Sequence, residues 1–198
     1  ALFKRMGAAT ILEEIPRALG FPVIVKPANG GSALGLSLAR NAEELRMAMV
    51  DAFAYGEEVV VERFVAGREI AVSIVEGREG ARALPPVEVR TDEGSYDYDA
   101  RYDTGRTEFF APAPLTDDEL RAVTELALAS HRVLELRDYS RIDLILDDEG
   151  TAWFIDANVI PGMTDTSLFP LAAEAESSFE QVVADLVERA MSRPAEAD

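Results

Sequence analysis

Arg141-Ile142-Asp143 on one apolar run and Asp156-Ala157-Asn158 on the next bring a guanidinium, two carboxylates and a carboxamide to neighbouring positions. Hard oxygen ligands that leave room for phosphate oxygens are what Mg²⁺ prefers, and an arginine beside them can neutralise charge developing on a transferred phosphoryl group. The chemistry open to this set is metal-assisted phosphoryl transfer. Leu144-Ile145-Leu146 and Trp153-Phe154-Ile155, separated by Asp147-Asp148-Glu149-Gly150, read as two strands joined by a tight turn, which sets Asp143 beside Asp156. Acidic residues also end ordinary solvated hairpins, so the remaining elements decide between the two readings.

A second constellation lies near the start. Phe21 to Pro27 reads as a buried strand ending in Lys26, and Ala28-Asn29-Gly30-Gly31-Ser32-Ala33-Leu34-Gly35 is a glycine-rich loop running into a strand from Leu36 to Ala39. Glycines let backbone N–H groups approach phosphate oxygens closely, and Ser32 adds a hydroxyl at the tip. The chain has two lysines, Lys4 and Lys26. A lysine placed at the end of an apolar strand is therefore a candidate phosphate ligand, the alternative being a surface side chain.

The elements that must position these residues follow from periodicity and capping. Asn41 with Glu44 starts a helix through Ala54 whose apolar stripe is Leu45, Met49 and Phe53. Glu58 to Val65 and Glu69 to Val75 read as strands, with a subdomain boundary at about Gly67, dividing the chain into 1–66 and 67–198. A hinge between two sheets is a usual place for a ligand. Arg82 to Arg90 reads as one further strand with an irregular start at Pro85-Pro86. The polar, tyrosine-dense segment Tyr96 to Tyr102 reads as a binding lid or a tyrosine-rich edge strand. Thr116 with Glu119 caps a helix to about Leu134 carrying Leu120, Val123, Leu126, Ala127 and Val133 as apolar positions, and His131 in it takes no role. Val159 to Pro170 reads as a loop, and Ser177 with Glu180 as the cap of a final helix to Met191.

Composition excludes several classes. With 198 residues, 48% of them hydrophobic, the chain can bury a real core. Its net charge of -18 argues against a nucleic-acid partner, whose affinity needs clustered Lys and Arg. No apolar run reaches the roughly 20 residues of a membrane span, and the apolar stretch at the start is too short for a signal peptide, so a cytoplasmic location is expected. With no cysteine and one histidine, thiolate catalysis and multi-histidine metal sites are excluded.

In order, Val25-Lys26-Pro27 with its glycine loop, Val61-Glu62-Arg63-Phe64 with Gly67-Arg68-Glu69, Tyr96 to Tyr102, Arg141-Ile142-Asp143, and Asp156-Ala157-Asn158 with Pro161-Gly162-Met163-Thr164 resemble the ATP-grasp enzymes, and within them the D-alanine:D-alanine ligases, over residues 17 to 191. The resemblance implies an α+β fold of two subdomains with antiparallel sheets clasping the nucleotide. It further implies an ATP-dependent ligase that joins two D-alanines through an acyl phosphate for peptidoglycan synthesis. Lys26, with the loop at Gly31 and Ser32 and with Arg101, would meet ATP phosphates. Glu62 would face the adenine amino group, the backbone of Arg63 and Val65 the ring edge, Phe64 the ring face and Glu69 the ribose. Asp143, Asp156 and Asn158 would hold two Mg²⁺ (or Mn²⁺) ions. Arg141 and the Gly162 amide would stabilise an oxyanion, Ser32 and Tyr102 would position the first D-alanine, and Ser167 with Leu168 the second. The tyrosine at 102 accompanies dipeptide rather than ester formation in the family.

The sequence departs from the family pattern at Asp156, where glutamate is usual, at Ala33, where serine is usual, and at Arg101, where lysine is usual. The resemblance also implies a homodimer formed through an N-terminal domain that supplies a catalytic glutamate; residues 1 to 198 carry no match to that domain, and the join at Thr10-Ile11 is shorter than the family pattern. An ATP-grasp ligase for another amino-acid pair, or a nucleotide-binding module without catalysis, are the other expectations these departures raise.

Overall fold

The structure, a computed structural model, describes residues 7–30, 33–77, 79–91 and 107–193. Gly31, Ser32 and the Tyr96 to Tyr102 segment, with Arg101 and Tyr102, lie outside the described residues. The chain divides into two compact units, Ala1–Phe64 with Thr91–Thr107, and Val65–Arg90 with Glu108–Asp198.

In the first unit, helix α1 (Ala8–Leu19) and helix α2 (Ala42–Phe53) accompany a three-stranded antiparallel sheet ordered β2-β1-β3, formed by β1 (Val23–Pro27), β2 (Ser37–Ala39) and β3 (Val59–Arg63). Val23, Val25, Leu45, Met49 and Ala52 form its core, with Leu12, Ile15 and Leu19 of α1 packed against it. Nothing in the residue-by-residue reading marks α1, although its apolar residues at 12, 15 and 19 follow helical spacing. Asn41 caps α2 by accepting from the amides of Glu43 and Glu44 at 3.0 Å, and Glu44 returns a bond to the Arg40 amide at 2.8 Å. That reciprocal pairing satisfies donors that would otherwise be orphaned at the helix start. Gly35 has φ 71°, and a Cβ there would lie 2.6 Å from the Tyr55 ring, so the glycine loop can seat on that ring only without a side chain at 35.

In the second unit a six-stranded sheet runs β7-β6-β4-β8-β9 with β5 paired to β4, and β4 is antiparallel to β5, β6 and β8, as β8 is to β9. Its strands are β4 (Arg68–Gly77), β5 (Gly80–Ala83), β6 (Val87–Thr91), β7 (Thr107–Phe110), β8 (Tyr139–Leu146) and β9 (Ala152–Asn158). The single strand expected over Arg82 to Arg90 is two strands, because neither Pro85 nor Pro86 can donate a ladder hydrogen bond. Helix α3 (Asp117–Val133), held by a capping box of Thr116 and Glu119, covers one face over Ile70, Val72, Ile74, Ile142 and Leu144. Of its expected apolar positions, Val123 and Ala127 are buried, whereas Val133 is 80% exposed and buried His131 takes the inward place, its Nδ1 2.8 Å from the Ser140 hydroxyl.

Helices α4 (Leu168–Glu176) and α5 (Phe179–Ser192) pack on Val75, Leu84 and Val87 through Phe169, Ala172, Ala173 and Val182. The expected loop to Pro170 therefore ends three residues early: proline is tolerated in the first helical turn, where its missing N–H would have no intrahelical partner. The cap of α5 is Ser178, accepting from the Gln181 amide at 3.3 Å, one residue later than expected.

Two features of this unit set its tolerance to change. A Cβ on Gly67 would sit 2.3 Å from the Leu146 carbonyl oxygen and 2.8 Å from the Ile145 side chain. Backbone cannot yield as a side-chain tip does, so Gly67→Ala is expected to lower stability by about 2 kcal/mol, read as a lower urea midpoint at unchanged slope. Glu88 is buried and accepts from Arg68 at 2.7 Å and Arg90 at 2.5 Å. Burial opposes its ionisation, but the two guanidiniums outweigh it and hold the carboxyl below the ordinary range. A depressed folded value gives stability that is present above the unfolded carboxyl value near roughly pH 4.3 and is lost as pH falls through the folded one. Melting temperature should thus drop below about that pH, and Glu88→Gln should flatten the acid limb.

Candidate active site

Alternate residues of a strand share a face, and residues opposite each other on paired strands face the same way. Arg141 pairs with Asn158 and Asp143 with Asp156 across β8 and β9, so these four side chains stand on one face of the sheet. The tight turn alone does not produce this. From Leu146↔Ala152 to Leu144↔Phe154 the ladder is regular, and continuing it would set Ile155 opposite Asp143; a bulge between Asp143 and Leu144 inserts one residue and brings Asp156 there instead.

Asp143 is 3% exposed and lies at the centre of the group. The Arg141 guanidinium grips it with two parallel bonds, Nε to Oδ1 at 2.7 Å and a terminal nitrogen to Oδ2 at 2.9 Å, and Asn158 Nδ2 donates to Oδ2 at 3.0 Å. That donation leaves the Asn158 amide oxygen to face other partners. Asp156 is exposed, and its Oδ1 accepts from the neighbouring Ala157 amide at 2.9 Å. Among the described residues no group of three or more His, Cys, Asp or Glu side chains could by itself hold a metal ion. A pair of carboxylates with an amide oxygen still fits Mg²⁺, which commonly takes one or two carboxylates and completes its shell with substrate phosphates and water.

Past β9 the chain turns through Thr164 to Ser167, closed by the Ser167 amide donating to the Thr164 carbonyl at 2.8 Å. The Ser167 hydroxyl occupies the N-cap position of α4 but makes no cap bond. It lies instead 2.8 Å from the Thr164 hydroxyl and accepts from the Thr164 amide at 3.2 Å. A Cβ on Gly162 would be 2.7 Å from that hydroxyl. Leu168 begins α4, half-buried.

In the first unit Lys26 Nζ lies 3.0 Å from Glu62 Oε1, with both side chains mostly shielded. The two residues stand on neighbouring strands, in a register where Ile24 faces Glu62 and Lys26 faces Val60. Arg63 is exposed at the end of β3, and the Phe64 amide donates to the Pro22 carbonyl at 3.1 Å. Val65 opens the second unit, where Glu69 sits on β4 opposite Ile145, on the same face as Asp143. Two surface hollows, one by Leu12, Pro16 and Arg46 and one by Ala184, Val187 and Met191, contain none of these side chains. Thr164 carries no role in the residue reading, although a threonine three residues before a serine is a turn signal that could have drawn attention to it.

Two α+β units built on antiparallel strand pairings are the architecture of the ATP-grasp fold, and the solved structures that resemble this chain place it there. Within that class the chain belongs to the family described as "D-ala D-ala ligase C-terminus", whose profile matches residues 4–188. It is 40% identical over 168 residues to a D-alanine–D-alanine ligase of Methylacidiphilum infernorum, covering 84% of this chain and 54% of that protein. Among solved structures it resembles the VanG D-Ala:D-Ser ligase from Enterococcus faecalis, with a TM-score of 0.82 and 26% identity over 93% of this chain and 54% of that one. It also resembles the D-alanine–D-alanine ligase from Bacillus anthracis complexed with ATP, with a TM-score of 0.72 and 28% identity over 92% of this chain and 56% of that one. The chain spans about half the length of the relatives it matches.

Proposed function

We propose that this chain is the ATP-binding and catalytic portion of a D-alanine:D-alanine ligase that makes D-alanyl-D-alanine in the cytoplasm for peptidoglycan. The observation that carries the reading is the joint placement of Arg141, Asp143, Asp156 and Asn158 on one sheet face in a chain of this family. Lys26 and the loop at Gly31 and Ser32, with Arg101, meet the phosphates of ATP. Glu62 accepts from the adenine amino group, Arg63 and Val65 present backbone groups to the ring edge, Phe64 covers the ring and Glu69 takes the ribose hydroxyls. Asp143, Asp156 and Asn158 would hold Mg²⁺, which when bound would supply positive charge to the phosphate oxygens.

A carboxylate oxygen of the first D-alanine, positioned by Ser32 and Tyr102, attacks the γ-phosphorus, and ADP leaves. The amine of the second D-alanine, held by Ser167 and Leu168, then attacks the acyl carbon, losing a proton as inorganic phosphate departs. Arg141 and the Gly162 amide face the oxyanion that forms in between. Arg141 is pre-organised for that task because its two bonds to Asp143 fix the guanidinium plane.

The likeness to a D-Ala:D-Ser ligase favours D-serine as the second reading for the acceptor. Incubation with MgATP and D-alanine, with D-serine and D-lactate added in parallel tubes, and product identification by mass tests both. D-Alanyl-D-alanine with one ADP per dipeptide is the expected result. D-Alanyl-D-serine in preference would establish the second reading, and nucleotide binding without any turnover would mark a non-catalytic module.

A further inference from the structure

The Ser167 hydroxyl is the one group of the turn after β9 whose position is fixed from two sides by a single neighbour. The Thr164 amide donates to its oxygen at 3.2 Å, and the Thr164 hydroxyl lies 2.8 Å from it. Gly162 leaves the space open, since a Cβ there would come within 2.7 Å of the same oxygen. A serine at an N-cap usually turns its oxygen to the amides of the second or third helical residue. Here the third helical residue is Pro170, which has no N–H, and the hydroxyl makes no cap bond.

A hydroxyl has one proton and two acceptor lone pairs. When the Thr164 hydroxyl donates to Ser167, both lone pairs of Ser167 are engaged by Thr164, and Ser167 has only its proton left to offer. Such a group serves an acceptor-only partner, and an ionised carboxylate is one. We propose that Thr164 is a positioning residue that makes Ser167 an obligate donor to the carboxylate of the acceptor amino acid. The inference rests on the reading of Ser167 as a contact to the second D-alanine and adds the residue that sets its polarity.

The test is calorimetric titration of the protein with D-alanyl-D-alanine, and with D-alanyl-D-alaninamide, which lacks the carboxylate, for wild type, Thr164→Val, Thr164→Ser, Ser167→Ala and the Thr164→Val/Ser167→Ala pair. Loss of a hydrogen bond to a charged group predicts that Thr164→Val and Ser167→Ala each weaken dipeptide binding about tenfold. Thr164→Ser should stay within about twofold of wild type, and the double variant should be no weaker than Ser167→Ala, because the two act as one unit. The amide probe keeps a neutral carbonyl acceptor but no charge, so it should lose clearly less than the dipeptide on each change. In steady-state turnover the Thr164→Val change should appear in KM for the second D-alanine and leave kcat nearly unchanged.

Thr164→Val binding the dipeptide as wild type does would overturn the inference while leaving the ligase reading intact. So would equal losses for dipeptide and amide, which would mean a merely structural change. If wild type neither binds the dipeptide nor forms it, the Ser167 reading fails and the inference falls with it.

Discussion

Replacing Asp143 by asparagine is expected to raise the Mg²⁺ concentration for half-maximal ATP turnover at least about tenfold, and to cut turnover at saturating Mg²⁺ about a hundredfold. Asparagine keeps the shape but puts an NH₂ where one carboxylate oxygen now accepts from Arg141 at 2.7 or 2.9 Å, so donor meets donor in a place that is 3% exposed. The guanidinium then loses the grip that orients it, and under the proposed function a Mg²⁺ ion would lose a charged ligand in the same substitution. Removing one partner of a buried pair costs several kcal/mol; Arg141 keeps 15% of its side-chain surface in solvent, which reduces the cost to about 2 kcal/mol. A Mg²⁺ titration of ADP release, run beside thermal melting, separates the two effects. An unaltered titration would take Asp143 out of the metal site, whatever happened to the melt.

Lys26→Ala is expected to weaken ATP binding by about tenfold to a hundredfold, the range for losing charge-assisted hydrogen bonds to phosphate. The same change should cost less than about 1 kcal/mol of stability, because the pair that Lys26 forms with Glu62 at 3.0 Å retains partial solvent contact on both sides. Titration with ATP, ADP and adenosine discriminates a phosphate ligand from a general structural residue. The loss should be large for ATP and nearly absent for adenosine, and a uniform loss across the three would refute the phosphate assignment. Glu62→Gln is expected to give the complementary pattern, since it removes the carboxylate of the Lys26 ion pair and, under the proposed function, would weaken the acceptor offered to the adenine amino group.

Much of this protein was legible in its residues because the signals were local. The capping pairs Asn41–Glu44 and Thr116–Glu119 are short-range hydrogen-bond patterns, and both helices start where those pairs require. The family resemblance rested on motifs in order, each short enough to be complete within a few residues, and the α+β class came with that resemblance. Local signals also misled where two of them competed. The stretch Val159 to Pro170 reads as a loop, yet a proline in the first helical turn costs little, and burial of Phe169, Ala172 and Ala173 favours the helix. Val133 fits a helical stripe, but the stripe ends a turn too soon for it to reach the sheet, and His131 with its Ser140 partner fills the inward place.

By itself the sequence determined which chemical groups the chain owns and the order in which they come: a lysine at a strand end, a glycine loop, an acid with an arginine two residues before it, an acid with an asparagine two residues after it. Spacing along a strand also determined that each of those pairs shares a face, since side chains alternate. Whether the two faces are the same face was decided only in three dimensions. Strict pairing from the turn would set Ile155 opposite Asp143, and the bulge between Asp143 and Leu144 puts Asp156 there instead. The Lys26–Glu62 pair and the closeness of Gly67 to the Leu146 carbonyl belong to the same kind, joining positions far apart in sequence. Such contacts depend on how strands register against one another, and register is set by the whole buried surface.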